Sequence, residues 1–438
     1  MRLKIFLIVF AAVIILGGVF LFARSSATMV TPSITGDVLD TSVTSTPDMT
    51  VVTGTVPAVV ADNTGRWSNC DVPAQAQMAD PPTIIKGIYL TGWSAGSAVK
   101  MQSVINLIKS TELNAVVVDI KDYSGYVSYA MDVPEVKASG AEAEIRIPCM
   151  NGVIKELHDN GIYVIGRITN FQDPILAKAH PEWAMKNKTT GAVWTDNNGL
   201  AWMDPAEQPV RDYLASIAKD AFGRGFDEVN FDYVRFASDG SIGNISYPAW
   251  NETTPRAAVI EDYFKFLRQS FPTERISADL FGLSTVNSDD LGIGQVIQSA
   301  YEYFNYVCPM VYPSHYATEF LGYKYPGAYP YQVIAYSLTH GLAKLLAMGT
   351  PANASSTRVS ARPFDLGAVP NSKLRPWLQD FNLGAPGAPG TIYTADMVRQ
   401  EKQAVYDTVG SSTADQYYGG WMMWNAGNNY TEAALDAK

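Results

Sequence analysis

Two short acidic segments are the part of this sequence best suited to chemistry. In Glu228-Val-Asn-Phe-Asp-Tyr-Val-Arg-Phe236 an apolar run ends in Asp232, and Arg235 follows three residues later. A carboxylate and a guanidinium delivered together at the end of an apolar strand form a charge pair whose proton affinity the surroundings can tune. The bland alternative is an ion pair that only closes the strand end. Ile276-Ser-Ala-Asp-Leu-Phe-Gly282 presents Asp279 in the equivalent place. Two carboxylates facing each other across a sugar ring are what glycoside hydrolysis requires, one as acid or base and the other as nucleophile or activator of water. Asp279 is either that partner or a carboxylate that holds a loop by accepting backbone N–H bonds.

Further polar and aromatic residues gather at the ends of other apolar runs. Val118-Asp-Ile-Lys-Asp122 supplies Asp119 and Asp122 as candidates for binding sugar hydroxyls, and Gly166-Arg-Ile-Thr-Asn170 supplies Arg167 to orient a carboxylate. Asp119 shares strand parity with Val117, so the two face the same way. Tyr312 and His315, then Asp380, then Trp421, Trp424 and Asn425 complete the set of substrate-binding candidates. Flat rings beside amides and carboxylates suit an oligosaccharide cleft, whereas core packing explains any single Trp as well. No metal-ligand spacing, nucleotide fingerprint or phosphate loop occurs, and no cofactor is expected. One motif competes: Gly92-Trp-Ser-Ala-Gly96 has the spacing of a serine hydrolase elbow. Only one strand precedes it, and Ser94 or Ser97 as a helix N-cap accounts for the same residues.

These residues need elements to hold them. Strands are expected at 87–90, 115–120, 163–169, 228–231, 276–280, 306–310, 373–378 and 420–424. Helices are expected between them at 98–110, 151–160, 209–224, 256–270, 293–303, 332–347 and 394–409. Eight strands alternating with helices predict a (β/α)8 TIM barrel over residues 83–438, which gathers its polar strand ends into one mouth. A doubly wound sheet also alternates, but it does not collect eight strand ends at one place.

Ahead of the barrel, residues 5–23 form an uncharged run of 19. As a helix it spans roughly 28 Å, about the thickness of a bilayer's apolar core. Arg2 and Lys4 before it and Arg24 after it orient the remainder outward. Residues 1–24 are therefore read as a membrane anchor, or as a signal peptide if cleaved; either way the barrel lies outside the cytoplasm. Of the 33 residues from Ser25 to Pro57, 14 are Ser or Thr. Residues 25–82 accordingly read as a flexible, disordered linker. Cys70 and Cys149 can pair, and Cys308, in an apolar run, reads as a small core residue. The 438 residues carry a net charge of −11, which argues against nucleic acid as a partner. Three positive charges belong to the anchor, and the linker holds one Arg against six Asp, leaving −9 for residues 83–438. An acidic barrel argues against anionic polymers and for a neutral or amino-sugar polymer.

The segments KGIYLTGWSAGS, VVVDIKDYSGYV, GRITNFQDP, WMDP, EVNFDYVRFASDG, VCPMVYPSHY, LRPWLQDF and GGWMMWNAGNNY occur in this order. Together they resemble the putative glycosyl hydrolase domain family of bacteria, barrels related to the α-amylase-like hydrolases. The resemblance covers about Thr83 to Tyr430. It implies a (β/α)8 hydrolase of glycosidic bonds with the fourth-strand aspartate, Asp232, as principal catalytic residue. Asp279 stands where the amylase-like relatives usually carry a glutamate. The expectation is a membrane-tethered glycosidase using Asp232 with Asp279, oriented by Arg235 and Arg167. A non-catalytic carbohydrate-binding barrel and a Ser94 esterase are the alternatives.

Overall fold

The computed structural model describes residue 70 and residues 72–349, 372–384, 387–411 and 414–438. Eight parallel strands close on themselves: β1 (Ile85–Leu90), β2 (Ala115–Lys121), β3 (Tyr163–Thr169), β4 (Glu228–Asp232), β5 (Ile276–Phe281), β6 (Tyr306–Met310), β7 in two pieces (Lys373–Leu374 and Trp377–Gln379) and β8 (Gly420–Trp424). The ring is completed where β8 pairs with β1. Gly420 sits at that closure with φ +96°, and a Cβ there would lie 1.8 Å from the Ile85 carbonyl oxygen. Only glycine tolerates both conditions. β7 is interrupted at Arg375-Pro376 because proline has no N–H to give the ladder.

The seven expected helices are present: α1 (Ala98–Ser110), α2 (Met150–Asp159), α3 (Gln208–Arg224), α4 (Arg256–Ser270), α5 (Ile297–Tyr303), α6 (Pro330–Gly349) and α7 (Ala395–Thr408). α5 starts four residues later than its apolar pattern suggests, since Gly292 and Gly294 take left-handed backbone angles of +70° and +87°. Buried residues of α1, Met101, Val104, Ile105 and Ile108, recur at helical spacing and meet the outward faces of the strands, as an amphipathic helix on a sheet must. A second, smaller apolar cluster fills the barrel itself, with Ile85, Ala115, Val117, Tyr163, Ile165, Cys308 and Met422 among its members. Cys308 is a buried free thiol.

Alternation along the strands fixes which residues enter that interior. Near the start of β4, Glu228 forms a fully buried ion pair with Arg375, whose Nη1 donates to Oε2 at 3.1 Å. Ser277 Oγ donates to Glu228 Oε1 at 2.5 Å, and the guanidinium lies 4.1 Å from the Tyr306 ring. This cluster forms the floor. The opposite end, where β2 to β5 finish, is the mouth.

The expected anchor at 1–24 lies outside the described residues, as does the linker up to residue 69. Among the described residues no helix is long and apolar enough to cross a membrane. The end of the linker is not the free tether expected from its composition. Cys70 is bonded to Cys149. Gln75 N donates to the Arg224 carbonyl at 3.0 Å, Gln77 Nε2 to the Phe226 carbonyl at 2.8 Å, and Met78 N to Asp227 Oδ1 at 2.7 Å. Met78 packs against the interior cluster. Composition alone undervalued this stretch because a few specific bonds and one apolar side chain hold it, without any periodic apolar face.

Candidate active site

The mouth is organised around one guanidinium. Arg167 on β3 is 4 % exposed. Its Nη1 donates to Asp119 Oδ1 at 2.6 Å, its Nη2 and Nε donate to Asp232 Oδ2 at 2.5 and 3.2 Å, and its Nε stands 3.9 Å from Asp279 Oδ2. Carboxylates from β2, β4 and β5 therefore converge on a single cation from β3. Strand register produces this arrangement: Arg167 lies level with Asp119 on one side and Asn230 on the other. Tyr89 and Trp424 stack at 3.8 Å, with the Arg167 guanidinium 5.7 and 5.1 Å from their rings.

Asp232 is supplied with donors. Besides the two from Arg167, the N–H of Tyr233 reaches its Oδ1 at 2.6 Å. Tyr233 adopts φ +53°, an unfavourable angle for a tyrosine, and this turn aims its N–H back at the carboxylate. The Asp232 carbonyl accepts from Asn170 Nδ2 at 2.6 Å, and Asn170 Oδ1 accepts from the Tyr263 hydroxyl at 2.6 Å. The strand end is thus braced from α4.

Asp279 is treated differently. Its Oδ1 accepts from Asn230 Nδ2 at 2.8 Å and Trp377 Nε1 at 2.7 Å, both uncharged donors. Burial first, and repulsion from Asp232 second, hold its pKa well above the usual carboxylate value, against the opposing pull of Arg167. Asp279 is thus held by uncharged donors, where Asp232 is held by a guanidinium and a backbone N–H.

Both face a cavity of about 200 Å³ that Arg167, Arg235, Tyr312, His315 and Trp424 also line. Burial lowers the His315 pKa to about 4, so its ring is neutral at ordinary pH. Phe281, Leu283, Met310 and Tyr316 make the remaining wall mostly apolar. Among the described residues no three His, Cys, Asp or Glu side chains are grouped as metal ligands. Where three carboxylates do converge, Arg167 fills the position of the cation.

The mouth brings together Asp232, Asp279, Arg167, Arg235, Tyr312, His315 and Trp424, and it separates the other candidates from the cavity. Asp119 lies beneath it, with Oδ2 taken by the Tyr89 hydroxyl at 2.6 Å; burial, aided by Asp122, raises its pKa to about 6 against the pull of Arg167. Asp122 pairs with Arg146 and turns its own loop by accepting Ser124 N at 3.0 Å. Asp380 accepts Thr431 N and Oγ1 at 2.7 and 2.6 Å and so fastens the loop after β8. Asn425 shapes that loop by accepting Gly427 N at 2.9 Å. Trp421 has the opposite parity to Trp424 and points outward, where its Nε1 donates to the Tyr406 hydroxyl at 3.2 Å. The expected pair of Asp232 with Arg235 is not formed: among the described residues no carboxylate lies within 4.0 Å of Arg235, and Arg167 takes the place assigned to it.

The serine elbow is likewise absent. Gly92–Ala95 is a one-turn helix capped by Thr91, whose Oγ1 accepts Ser94 N at 3.2 Å, and Ser97 caps α1. The two glycines of the motif serve packing: a Cβ on Gly92 would meet Ser128 Oγ at 2.3 Å, and one on Gly96 would meet the Arg146 carbonyl oxygen at 1.9 Å. Sequence reasoning missed Asn230 and Tyr89 as site residues. Parity with Asp232 was the available signal for Asn230.

Comparison with known proteins agrees with the fold. A family model described as "Putative glycosyl hydrolase domain" matches residues 87–430. No curated protein matches the chain. Among solved structures, a hypothetical protein from Ruminiclostridium thermocellum ATCC 27405 is 37% identical over 47% of this chain and 98% of its own, with a TM-score of 0.41. The glycoside hydrolase domain of PgaB (BpsB) from Bordetella bronchiseptica is 12% identical over 82% of this chain and 100% of its own, with a TM-score of 0.53, a likeness of fold.

Proposed function

The chain belongs to the putative glycosyl hydrolase domain family and is a glycosidase, and from that premise we propose that it cleaves an extracytoplasmic polysaccharide with Asp279 as general acid and Asp232 as its partner. One observation carries this reading: two carboxyls on neighbouring strand ends share a cavity, and Arg167 bonds one of them while standing 3.9 Å from the other. Asp279 gives its proton to the glycosidic oxygen as the bond breaks, and Asp232 meets the positive charge that develops at the sugar's anomeric carbon. Asp232 Oδ2 and Asp279 Oδ2 lie 3.2 and 3.9 Å from the same Arg167 nitrogen, so they are at most about 7 Å apart. That limit admits the roughly 5–5.5 Å of a retaining pair and excludes most of the inverting range. It favours Asp232 as a nucleophile that forms a glycosyl-enzyme. Tyr312 and Trp424 offer rings to the sugar faces.

The Cys70–Cys149 bond supports folding in an oxidising compartment, in keeping with the export expected from the first 24 residues. Incubating the full chain with envelope and storage polysaccharides, followed by mass spectrometry of released oligosaccharides, tests the activity. Asp232→Asn is expected to lower the rate about 10³-fold or more while the circular dichroism is kept. A variant that keeps most of the activity would remove Asp232 from the mechanism.

A further inference from the structure

We propose that Arg235 sets substrate specificity: the cavity takes a saccharide ring bearing a carboxylate, gripped by Nε and Nη2 of Arg235 beside Asp232. This deepens the glycosidase reading above and rests on it. Arg235 is 7 % exposed and lines the cavity. Its guanidinium is fixed by three rings, Trp202, Tyr233 and Phe281, at 4.8, 5.1 and 4.8 Å. Nη1 is already used, donating to the Phe236 carbonyl at 3.1 Å and to Ser238 Oγ at 3.0 Å. Among the described residues Nε and Nη2 have no acceptor and no carboxylate comes within ion-pair distance. The nearest acids, Asp232, Asp239 and Asp196, act from farther away, and burial pushes the guanidinium's pKa below its usual value despite them.

A buried cation that its own protein leaves short of an acceptor is costly unless a ligand completes it. The unused edge, Nε with Nη2, is the parallel two-donor fork that matches a carboxylate. A sugar hydroxyl or amide carbonyl offers one acceptor atom and would leave one N–H of the fork unpaired. The acidity of the whole barrel argues for a neutral polymer, but the charge that a bound ring meets is local, and at this wall it is positive. The carboxylate can be that of a hexuronic acid or of a lactyl ether on an amino sugar.

The test compares each carboxylated glycan with its own carboxyl-reduced form, in which the backbone is unchanged and the charge is gone. One arm uses hexuronate polymers and the other lactyl-bearing glycan strands; the arm that is cleaved identifies the source. For the wild-type chain, kcat/KM is expected to favour the carboxylated form by roughly 10- to 100-fold, the range of hydrogen bonds to a charged group. In Arg235→Gln that ratio is expected to fall toward one, and in Arg235→Lys to recover in part. A wild-type ratio near one, or an equal loss on both forms in Arg235→Gln, overturns the proposal and leaves the glycosidase reading standing. Should the wild-type chain release no product from any glycan, the glycosidase reading fails by itself. Calorimetric binding of the carboxylated oligosaccharide, lost in Arg235→Gln, would still uphold the role of Arg235, and absence of that binding would overturn it.

Discussion

Replacing Asp119 with Asn measures the electrostatic cost of the layer beneath the cavity. In the folded chain this buried carboxyl has a pKa of about 6 against an ordinary 3.8. Below pH 3.8 it is protonated whether the chain is folded or not, and it contributes nothing. Between 3.8 and 6 the folded chain holds a proton that the unfolded chain has lost. Above 6 both are ionised and the full cost of the buried charge is present. Stability from this group therefore falls as pH rises through that window. At 1.36 kcal/mol per pKa unit the fall is roughly 3 kcal/mol. An asparagine has no charge to lose; its Oδ1 can accept from Arg167 Nη1 and its amide can donate to the Tyr89 hydroxyl. Urea unfolding of both proteins at pH 4, 5, 6 and 7 should show the variant gaining about 2 kcal/mol on the wild type across the series, the rest of the fall lying below pH 4. A difference that stays flat with pH, or that moves toward the wild type, would refute the assignment of an ionised, burial-penalised Asp119.

Asp279→Asn should lower kcat by about 10²–10⁴-fold on an unactivated glycoside and far less on one with an acidic aryl leaving group, which needs no proton. Because a general acid acts only with its proton on and burial raises the pKa of Asp279, the pH–rate profile should lose its alkaline limb in this variant; a limb that persists would place the acid elsewhere. At the floor of the barrel, Glu228→Gln should cost roughly 3–5 kcal/mol in urea unfolding by leaving Arg375 buried and unpaired. The double variant Glu228→Leu/Arg375→Met should recover much of that loss, and a double variant as unstable as the single one would show that the pair's hydrogen bonds matter more than its charge.

The barrel was readable because eight apolar runs alternate with seven stretches of helical spacing, and each strand end could be placed from that repetition alone. Asp232 and Asp279 followed from it, being carboxylates at the ends of neighbouring strands. Arg167 orients a carboxylate as expected, but the expected pairing of Asp232 with Arg235 does not form, because nearness along the chain is a poor guide past a strand end. After Asp232 the backbone turns at Tyr233, which leaves Arg235 on the cavity wall but outside ion-pair distance of Asp232, whereas lateral register brings Arg167 across from β3. A similar irregularity explains Asp122, since register slips between Asp119 and Lys121 and alternation cannot be extended past that point. Trp421 and Trp424 are three apart on one strand, so parity alone places only one of them inside; grouping them by residue type concealed it. Asp380, one residue past β7, is a strand-end carboxylate whose partners come from the next loop, and that loop's path is not written in its local sequence.

The break in β7 makes the wall of the barrel uneven. β6 and β7 meet through three residue pairs, Tyr306 with Lys373, Val307 with Leu374 and Met310 with Trp377, while β2 and β3 are joined through six. Amide hydrogen exchange should therefore be faster along this seam than between β2 and β3, since opening it costs fewer bonds. Trp377, which holds Asp279 Oδ1, is one of the residues that would part. Each excursion of the seam removes a donor from that carboxyl and shifts its hold on the proton. Stitching β6 to β7 is therefore expected to slow exchange along the seam and to steady the Trp377 bond to Asp279 together.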